Sequence, residues 1–252
     1  MNELPFIGAD APPETFPPVE QALRKPDGLL AVGGDLSPER LLAAYRRGIF
    51  PWFDDRTPIL WWSPDPRMVL ETGRMYRSRR LRRTLRRGHY RVTMDQAFDA
   101  VVTACADVSL RPDQNATWIT PEMADAYGHL HRMGHAHSLE VWQGRRLVGG
   151  IYGLALGRIF FGESMFHRIN DGSKIALAWL DAELAARDFL LLDCQVESPH
   201  LARLGAQPMP RRRFTNLVER HARTDAPPAP WTLGVDRDMA ASPQPRPERA
   251  TG

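Results

Sequence analysis

The chain has 252 residues, of which 43% are hydrophobic and 25% charged, and this composition is typical of a globular protein and excludes a disordered or fibrous one. Its formal net charge is only +3, but every basic side chain except Lys25 and Lys174 is arginine. No apolar run reaches the ~18 residues of a membrane helix, and no signal-peptide pattern opens the chain. Because Cys105 and Cys194 are far apart and form no disulfide framework or zinc pattern, we expect a cytoplasmic protein.

Residues 1–64 are predicted to form a small N-terminal domain. A proline-rich entry is followed by one clear helix, with Ser37 as its N-cap and Pro38 at its first position. Gly48 ends this helix. Many aromatic residues follow between positions 50 and 62, which indicates that this small domain packs against a larger one.

Residues 75–87 combine an apolar stripe with a run of arginines. Leu81 and Leu85 lie at i,i+4, so the run is predicted to be an amphipathic helix. No acidic residue lies between Glu71 and Asp95, so nothing local neutralises the charge. A solvated helix face and a surface that binds RNA phosphates both remain open at this point. The arginines concerned are Arg77, Arg79, Arg80, Arg82, Arg83, Arg86 and Arg87.

From about Tyr90 the chain alternates between strand-like and helix-like segments, which predicts a mixed α/β domain over residues 65–223. Three strand-like runs with turns at Gly144 and Gly157 predict a hairpin in its middle. A helix opening at Ser173 and a buried strand over 189–196 predict a crossover between two later strands. Residues 224–252 are rich in Pro, Ala and Arg and are predicted to be a disordered tail.

Several familiar chemistries lack their sequence signals. Gly162-Glu-Ser-Met-Phe has no glycine two residues after the serine, which a nucleophile elbow requires. The histidines near His135 have no accompanying ligands at metal spacing, so no metal site is predicted. Phosphate-cradling and dinucleotide-binding glycine motifs are absent from the sequence.

Two polar pairs stand on otherwise apolar strands. Successive side chains of a strand point to opposite faces of the sheet, so Asp193 and Gln195 in the run 191–196 are predicted to share one face. The same alternation predicts that Glu163 and Met165 share a face on another strand. Burying such groups unpaired costs a few kcal/mol each, so they either form a structural network or face a cleft. We interpret them as residues of a carboxylate-lined site.

Several blocks, in collinear order over about residues 16–217, resemble the bacterial leucyl/phenylalanyl-tRNA–protein transferases. The blocks are Gly33-Gly-Asp-Leu-Ser-Pro, Tyr45, Arg47-Gly-Ile-Phe-Pro-Trp-Phe, Trp61-Trp-Ser-Pro-Asp-Pro-Arg, Thr117-Trp-Ile-Thr, Gly134-His-Ala-His-Ser, Gly162-Glu-Ser-Met-Phe, Asp193-Cys-Gln and Pro210-Arg-Arg. The resemblance implies a small N-terminal domain joined to a C-terminal domain with the acetyltransferase (GNAT) fold. It also implies an enzyme that moves Leu, or less well Phe, from tRNA onto proteins beginning with Arg or Lys and so marks them for degradation.

The resemblance also assigns roles within the site. Asp193 would orient Gln195, which would contact the attacking amine, and Glu163 would hold polar atoms of the substrates in the same cleft. No cofactor or metal is implied, because the aminoacyl ester is already activated. The partners are then aminoacyl-tRNA and the acceptor protein, and nothing in the sequence demands more than a monomer.

The substrate-binding positions follow from the same resemblance. Ile151 and Leu180 stand where relatives carry Met and Phe, so the preference between Leu and Phe stays open. The implied amino-acid pocket comprises Ile151, Met165, Leu180 and Leu192. The implied aminoacyl-adenosine contacts are Trp52, Trp118, Tyr45 and Tyr127.

Two other functions remain open. An acetyl-CoA-dependent N-acetyltransferase shares the implied fold and the amine nucleophile, but its pyrophosphate loop is matched imperfectly at 146–151, where Ile151 replaces a small residue. A non-enzymatic tRNA-binding module is the other alternative, and it leaves Asp193 and Gln195 unexplained.

Overall fold

The computed structural model describes residues 4–110, 117–222 and 230–244. The N-terminal part forms a small sheet from β1 (Phe6–Ile7), β2 (Leu29–Gly33), β3 (Phe50–Pro51) and β4 (Leu60–Trp62), in the order β1-β2-β4-β3. Helix α1 (Pro38–Tyr45) begins as predicted, because the Ser37 hydroxyl accepts the backbone N–H of Arg40. Gly48 follows the helix with a φ of 72°, a left-handed conformation that favours glycine.

The rest of the described chain is built on a seven-stranded sheet. The strands are β5 (Arg67–Glu71), β6 (Arg91–Met94), β7 (Ala136–Gln143), β8 (Arg146–Leu156), β9 (Ile159–His167), β10 (Leu191–Gln195) and β11 (Gln207–Met209). Their order in the sheet is β11-β5-β10-β9-β8-β7-β6. Most neighbours are antiparallel, and the β9–β10 pair is parallel.

Helices cover both faces of this sheet. Those beyond α1 are α2 (Arg79–Arg87), α3 (Phe98–Ala106), α4 (Pro121–Arg132), α5 (Gly172–Ala186), α6 (Pro199–Arg203), α7 (Arg211–His221) and α8 (Arg237–Ala240). One apolar cluster joins α3, α4, α7 and the small sheet, and the other joins α2, α5 and α8, which confirms the predicted mixed α/β class. None of the helices described is long and apolar enough to cross a membrane.

The parallel strands β9 and β10, joined by the crossover helix α5, separate soon after they meet. They pair over three positions and end with Asp193 opposite Phe161. Beyond that point each strand carries a bulge. Glu163 is the extra residue of β9 against β8, and Cys194 is the extra residue of β10 against β5. A β-bulge changes the direction in which side chains point, and bulges are common next to active sites. The gap between β9 and β10 beyond Phe161 therefore favours a functional site.

The structure corrects the prediction that residues 224–252 form a disordered tail. Residues 224–229 and 245–252 lie outside the described residues, but 230–244 packs against the larger domain. The Trp231 ring stacks on His137 at 4.0 Å, and its backbone N–H donates to Asp95 at 2.6 Å. The backbone N–H groups of Gly234 and Val235 donate to the Glu183 carboxylate. The prediction was wrong here because these partners come from distant elements, which local composition does not reveal.

Candidate active site

A buried ion pair joins the start of β5 to the end of β10. Arg67 Nε lies 2.8 Å from Asp193 Oδ1, and Nη2 lies 2.6 Å from Oδ2. Both side chains are fully buried. The third nitrogen of Arg67 donates to the Gly48 carbonyl at 3.0 Å, and the guanidinium lies between the rings of Phe50 and Phe214. Asp193 is therefore a fixed, paired anion, and its position is tied to the small sheet through Arg67.

Gln195 follows Asp193 across the β10 bulge and adopts a left-handed backbone with a φ of 57°. Its backbone N–H donates to Asp193 Oδ1 at 3.0 Å. Asp193 thus orients Gln195 through the main chain. The Gln195 Nε2 group is buried and finds no hydrogen-bond partner among the described residues. An unpaired buried donor is costly, so this amide is suited to a substrate acceptor.

Glu163, at the β9 bulge, is bound by two tyrosine hydroxyls from different domains. Tyr45, at the end of α1, lies 2.7 Å from Glu163 Oε1, and Tyr127 of α4 lies 2.9 Å from Oε2. Both tyrosines are fully buried. Their hydroxyl groups are bonded to Glu163, and their part in binding the aminoacyl-adenosine stays a prediction. They reach the site through Glu163.

The charge state of Glu163 is set mainly by burial. Desolvation raises the pKa of its carboxyl to about 7, and nearby Asp193 also raises it, against the opposing effect of the two tyrosine hydroxyls and Arg67. The residue keeps a partly exposed edge in the cavity described next. An acid with a pKa near neutrality can give or take a proton during a reaction.

A cavity of about 170 Å³ lies where the small sheet meets the middle of β9 and the end of β10. It brings together two predicted catalytic residues, Glu163 and Gln195, and two predicted tryptophans. Trp52 is 42% exposed, so its ring is available to a ligand. The lining residues are Phe50, Pro51, Trp52, Trp118, Glu163, Gln195 and Val196.

The four residues of the predicted amino-acid pocket lie together in the apolar cluster under α5. Ile151 of β8 faces Met165 of β9 across the sheet, and Leu180 and Leu192 come from α5 and β10. Three of them are nearly fully buried, while Met165 is partly exposed and lines a second cavity of about 290 Å³. Of the four, Met165 is the one that lines this cavity, and their role as the amino-acid pocket stays a prediction.

Glu163 and Met165 do not share a face, as simple strand alternation predicted. Glu163 points to the side of Tyr45 and Tyr127, and Met165 belongs to the cluster on the opposite side of the sheet. The β9 bulge at Glu163 inserts one residue and reverses the alternation beyond it. The Glu163 carboxyl and the four apolar side chains consequently lie on either side of one strand.

The arginine run forms α2, but its members have two different environments. Arg79, Arg80, Arg83, Arg86 and Arg87 are exposed, and Arg82 is half-buried. A shallow groove of about 420 Å³ is lined by Arg79, Arg82, Arg83, Arg86 and Arg87.

Arg77 precedes the helix and is only 3% exposed. Its guanidinium pairs with Asp181 of α5 at 2.8 Å. The prediction that Arg77 binds tRNA phosphate is therefore wrong, because this charge is already used inside the fold.

Sequence reasoning missed Arg67 as a site residue. It is the last residue of the Trp61-Trp-Ser-Pro-Asp-Pro-Arg block, but it is 126 positions from Asp193 along the chain. An unpaired carboxylate on a buried strand is a sign that an arginine is needed. The buried carboxylate does not by itself show which of the many arginines in the sequence is its partner.

Comparison with known proteins places the chain in a family. Residues 34–65 match the model of the leucyl/phenylalanyl-tRNA protein transferase N-terminal domain, and residues 69–219 match the model of leucyl/phenylalanyl-tRNA protein transferase. Every residue that lines the cavity at Glu163 falls within these two segments. Phe50, Pro51 and Trp52 lie in the first segment, and the other four lie in the second.

Similar relatives carry the name leucyl/phenylalanyl-tRNA–protein transferase. The protein of Xanthomonas euvesicatoria is 57% identical over 226 residues, which cover 90% of each chain. The protein of Xanthomonas axonopodis is 55% identical over 241 residues, or 96% of each chain. That of Hydrogenovibrio crunogenus is 50% identical over 227 residues, covering 90% of this chain and 88% of the relative. This chain belongs to the leucyl/phenylalanyl-tRNA–protein transferase family.

Proposed function

We propose that this chain transfers Leu, and less well Phe, from its tRNA to the α-amino group of proteins that begin with Arg or Lys, and so marks them for degradation. The observation that carries the proposal is the cavity between Trp52, Trp118, Glu163 and Gln195. It combines rings that can stack on a terminal base with polar groups that can bind an ester and an amine.

The proposed reaction needs positioning more than activation. The ester between an amino acid and the tRNA 3′ oxygen is already reactive, so neither ATP nor a metal is required. The attacking α-amino group has a reference pKa of ~7.7–8.0, so a useful fraction is neutral near pH 7. Holding this amine against the ester carbonyl supplies most of the acceleration. We assign that task to Gln195, which lines the cavity, with Asp193 fixing its backbone.

Leucine is proposed to occupy the pocket formed by Ile151, Met165, Leu180 and Leu192. An apolar pocket distinguishes side chains by only ~1–3 kcal/mol for one methylene, so both Leu and Phe are acceptable in principle. The four side chains belong to one apolar cluster, and Met165 lines a cavity beside it, which supports the assignment.

The tRNA body is proposed to lie along α2. Its five exposed arginines and the groove among them present a uniform positive surface, which suits the phosphate backbone of an RNA stem. Trp52 and Trp118 are proposed to stack on the terminal adenosine, with about 1–3 kcal/mol expected from base stacking.

The larger domain is proposed to have the acetyltransferase-like (GNAT) fold implied by the resemblance. The parallel pair β9 and β10, joined by α5 and separating after Phe161, supports this. The alternative of acetyl-CoA as substrate is not favoured. The segment 146–151 that approximates a pyrophosphate loop lies inside β8, and a Cβ at Gly149 would stand 2.7 Å from the Gly172 backbone.

The decisive experiment is transfer of labelled Leu from Leu-tRNA to two peptides that differ only in an N-terminal Arg or Ala. Label on the Arg peptide alone supports the proposal. Equal labelling of both peptides contradicts the specificity, and labelling of neither contradicts the activity. Acetyl transfer from acetyl-CoA to the Arg peptide, measured in parallel, would favour the alternative enzyme.

A further inference from the structure

Glu163, Tyr45 and Tyr127 form a closed ring of three short contacts. The two phenol oxygens lie 2.5 Å apart, and they lie 2.7 Å and 2.9 Å from the two Glu163 oxygens. Oxygen atoms at such distances need a hydrogen between them. Each neutral tyrosine brings one proton, and a carboxylate brings none. Two protons can occupy only two of the three contacts.

A third proton on Glu163 would complete the ring. Burial raises the pKa of both phenols well above the ordinary value of 10.0, so neither is a phenolate. With an ionised Glu163, any arrangement of the two hydroxyl protons leaves one pair of oxygens facing each other without hydrogen. A neutral carboxylic acid closes the ring, with every contact occupied.

The surroundings of the carboxyl support this count. Desolvation and the negative charge of Asp193 favour the protonated form, whereas Arg67 favours the ionised form. Arg67 is itself neutralised by Asp193 through two hydrogen bonds. Tyr152, the other titratable group near the ring, packs edge-on against Tyr127. No described cation therefore pairs directly with Glu163 in the way that Arg67 pairs with Asp193.

We propose that Glu163 enters the reaction as a neutral carboxylic acid held in this ring and protonates the ribose 3′ oxygen as the ester breaks. The proposal rests on the transfer reaction proposed above. Of the three ring members, Glu163 lines the cavity, while Tyr45 and Tyr127 are fully buried behind it. Glu163 is therefore the member that can reach a substrate.

The proton balance closes within the site. The neutral α-amine attacks the ester carbonyl carbon and forms the C–N bond. The C–O bond to the ribose breaks, and the 3′ oxygen leaves with the electron pair and takes the Glu163 proton. The nitrogen releases one proton, which returns to the Glu163 carboxylate. In the interval both tyrosine hydroxyls donate to the carboxylate and stabilise its charge, at the cost of the contact between the two phenol oxygens, which then holds no hydrogen.

This role gives a pH profile with two opposing limbs. Glu163 must be protonated, so its active fraction falls as the pH rises through its pKa. The amine must be neutral, so its active fraction rises toward the reference pKa of ~7.7–8.0. We expect kcat/KM to pass through a maximum between these values and to fall on both sides.

Glu163→Gln is the sharpest variant. An amide has one acceptor and one donor group, so it can close the same ring with the two tyrosines but cannot supply a proton. We expect an unchanged Kd for aminoacyl-tRNA, a kcat lower by about 10²–10⁴-fold, and loss of the alkaline limb. Glu140→Gln is the matched control, because Glu140 is also buried and bonded by two hydroxyls but lies outside the cavity. It should leave kcat unchanged.

A second measurement keeps the proposal testable without activity. Carbon-13 NMR of glutamate-labelled protein, with the Glu163 signal assigned by its loss in Glu163→Gln, reports the carboxyl directly. A protonated carboxyl at a pH of about 6 that titrates near neutrality supports the proposal. An ionised carboxyl at that pH, or a Glu163→Gln enzyme with kcat within a few-fold of the parent, overturns it. If the parent enzyme itself fails to label an Arg peptide, the proposed function fails, and the NMR result still decides the charge state.

Discussion

Arg77 and Arg80 lie three residues apart, and the structure gives them opposite roles. Arg77 is 3% exposed and bonded to Asp181, whereas the Arg80 side chain is 78% exposed and has Asp171 at 3.7 Å. A buried charge needs a partner to be tolerated at all, but an exposed one is screened by water. Arginine is therefore part of the buried core at position 77, and at position 80 it contributes to the positive electrostatic potential of the surface.

The cleft repeats this contrast with two acids. Asp193 is held by a bidentate arginine, whereas Glu163 is held by two neutral tyrosines. An arginine stabilises the charged form of its partner, and a desolvated hydroxyl pocket permits the neutral form. Two neighbouring carboxyls therefore have different environments, Asp193 in an ion pair and Glu163 in a ring of neutral hydroxyls that lines the cavity.

The largest effect is expected for Arg67→Met, which leaves Asp193 buried without its cation. The free energy of unfolding should fall by about 3–5 kcal/mol, measured by urea denaturation. The double variant Arg67→Met/Asp193→Leu removes both charges and should recover a substantial part of this loss. A loss below about 1 kcal/mol in the single variant would show that the pair is not a structural element.

Arg77→Met tests whether loss of the second buried arginine lowers the free energy of unfolding as loss of Arg67 does. We expect a loss of about 3 kcal/mol, at the low end for a broken buried pair. Asp181 keeps hydrogen bonds from the backbone N–H groups of Gly73 and Met75, and burial already raises the pKa of its carboxyl. The matched variant Arg79→Met removes an exposed arginine and should change the free energy of unfolding by no more than about 0.5 kcal/mol. Equal losses in the two variants would remove the distinction.

The double variant Arg80→Glu/Arg83→Glu tests whether the exposed arginines of α2 bind tRNA. Stability should be nearly unchanged, while the Kd for tRNA rises and the slope of log K against log salt becomes shallower by about 0.9 for each phosphate that the variant no longer neutralises. Filter binding at several salt concentrations measures both. The control is Arg145→Glu/Arg146→Glu, the same charge change at an exposed turn. If both pairs weaken binding equally, α2 is a solvated face and the effect comes from net charge alone.

Glu163 also makes the stability of the protein depend on pH. Its folded pKa of about 7 lies above the ordinary 4.5, so the folded state retains the proton while the unfolded state loses it. The stability of the parent protein relative to Glu163→Gln should therefore fall as the pH rises from about 4.5 to about 7, and stay level above that range. Denaturation curves across this range measure the difference. A relative stability that rises with pH would mean that Glu163 is stabilised as an anion.

Much of the secondary structure was predictable because its signals are local. Ser37 with Pro38 marks a helix start whose cap is formed as expected. Leu81 and Leu85 are buried on α2 as their spacing predicts. The strand bulges were not predictable, because an inserted residue is defined by its partner strand. This is why the placement of Glu163 and Met165 on one face was wrong.

The α/β class, the helix that begins at Pro38, the family and the cavity residues Glu163 and Gln195 could be predicted from periodicity, capping and collinear motifs. What each charge does depends on contacts between elements that are far apart in the chain. The arginine run has no acid within reach along the chain, yet Asp181 and Asp171 of distant elements meet Arg77 and Arg80 in space. Whether an arginine is a structural partner or a free surface charge depends on burial, and burial is a property of the fold. The net charge of +3 therefore says less about this protein than the positions where its charges remain unpaired.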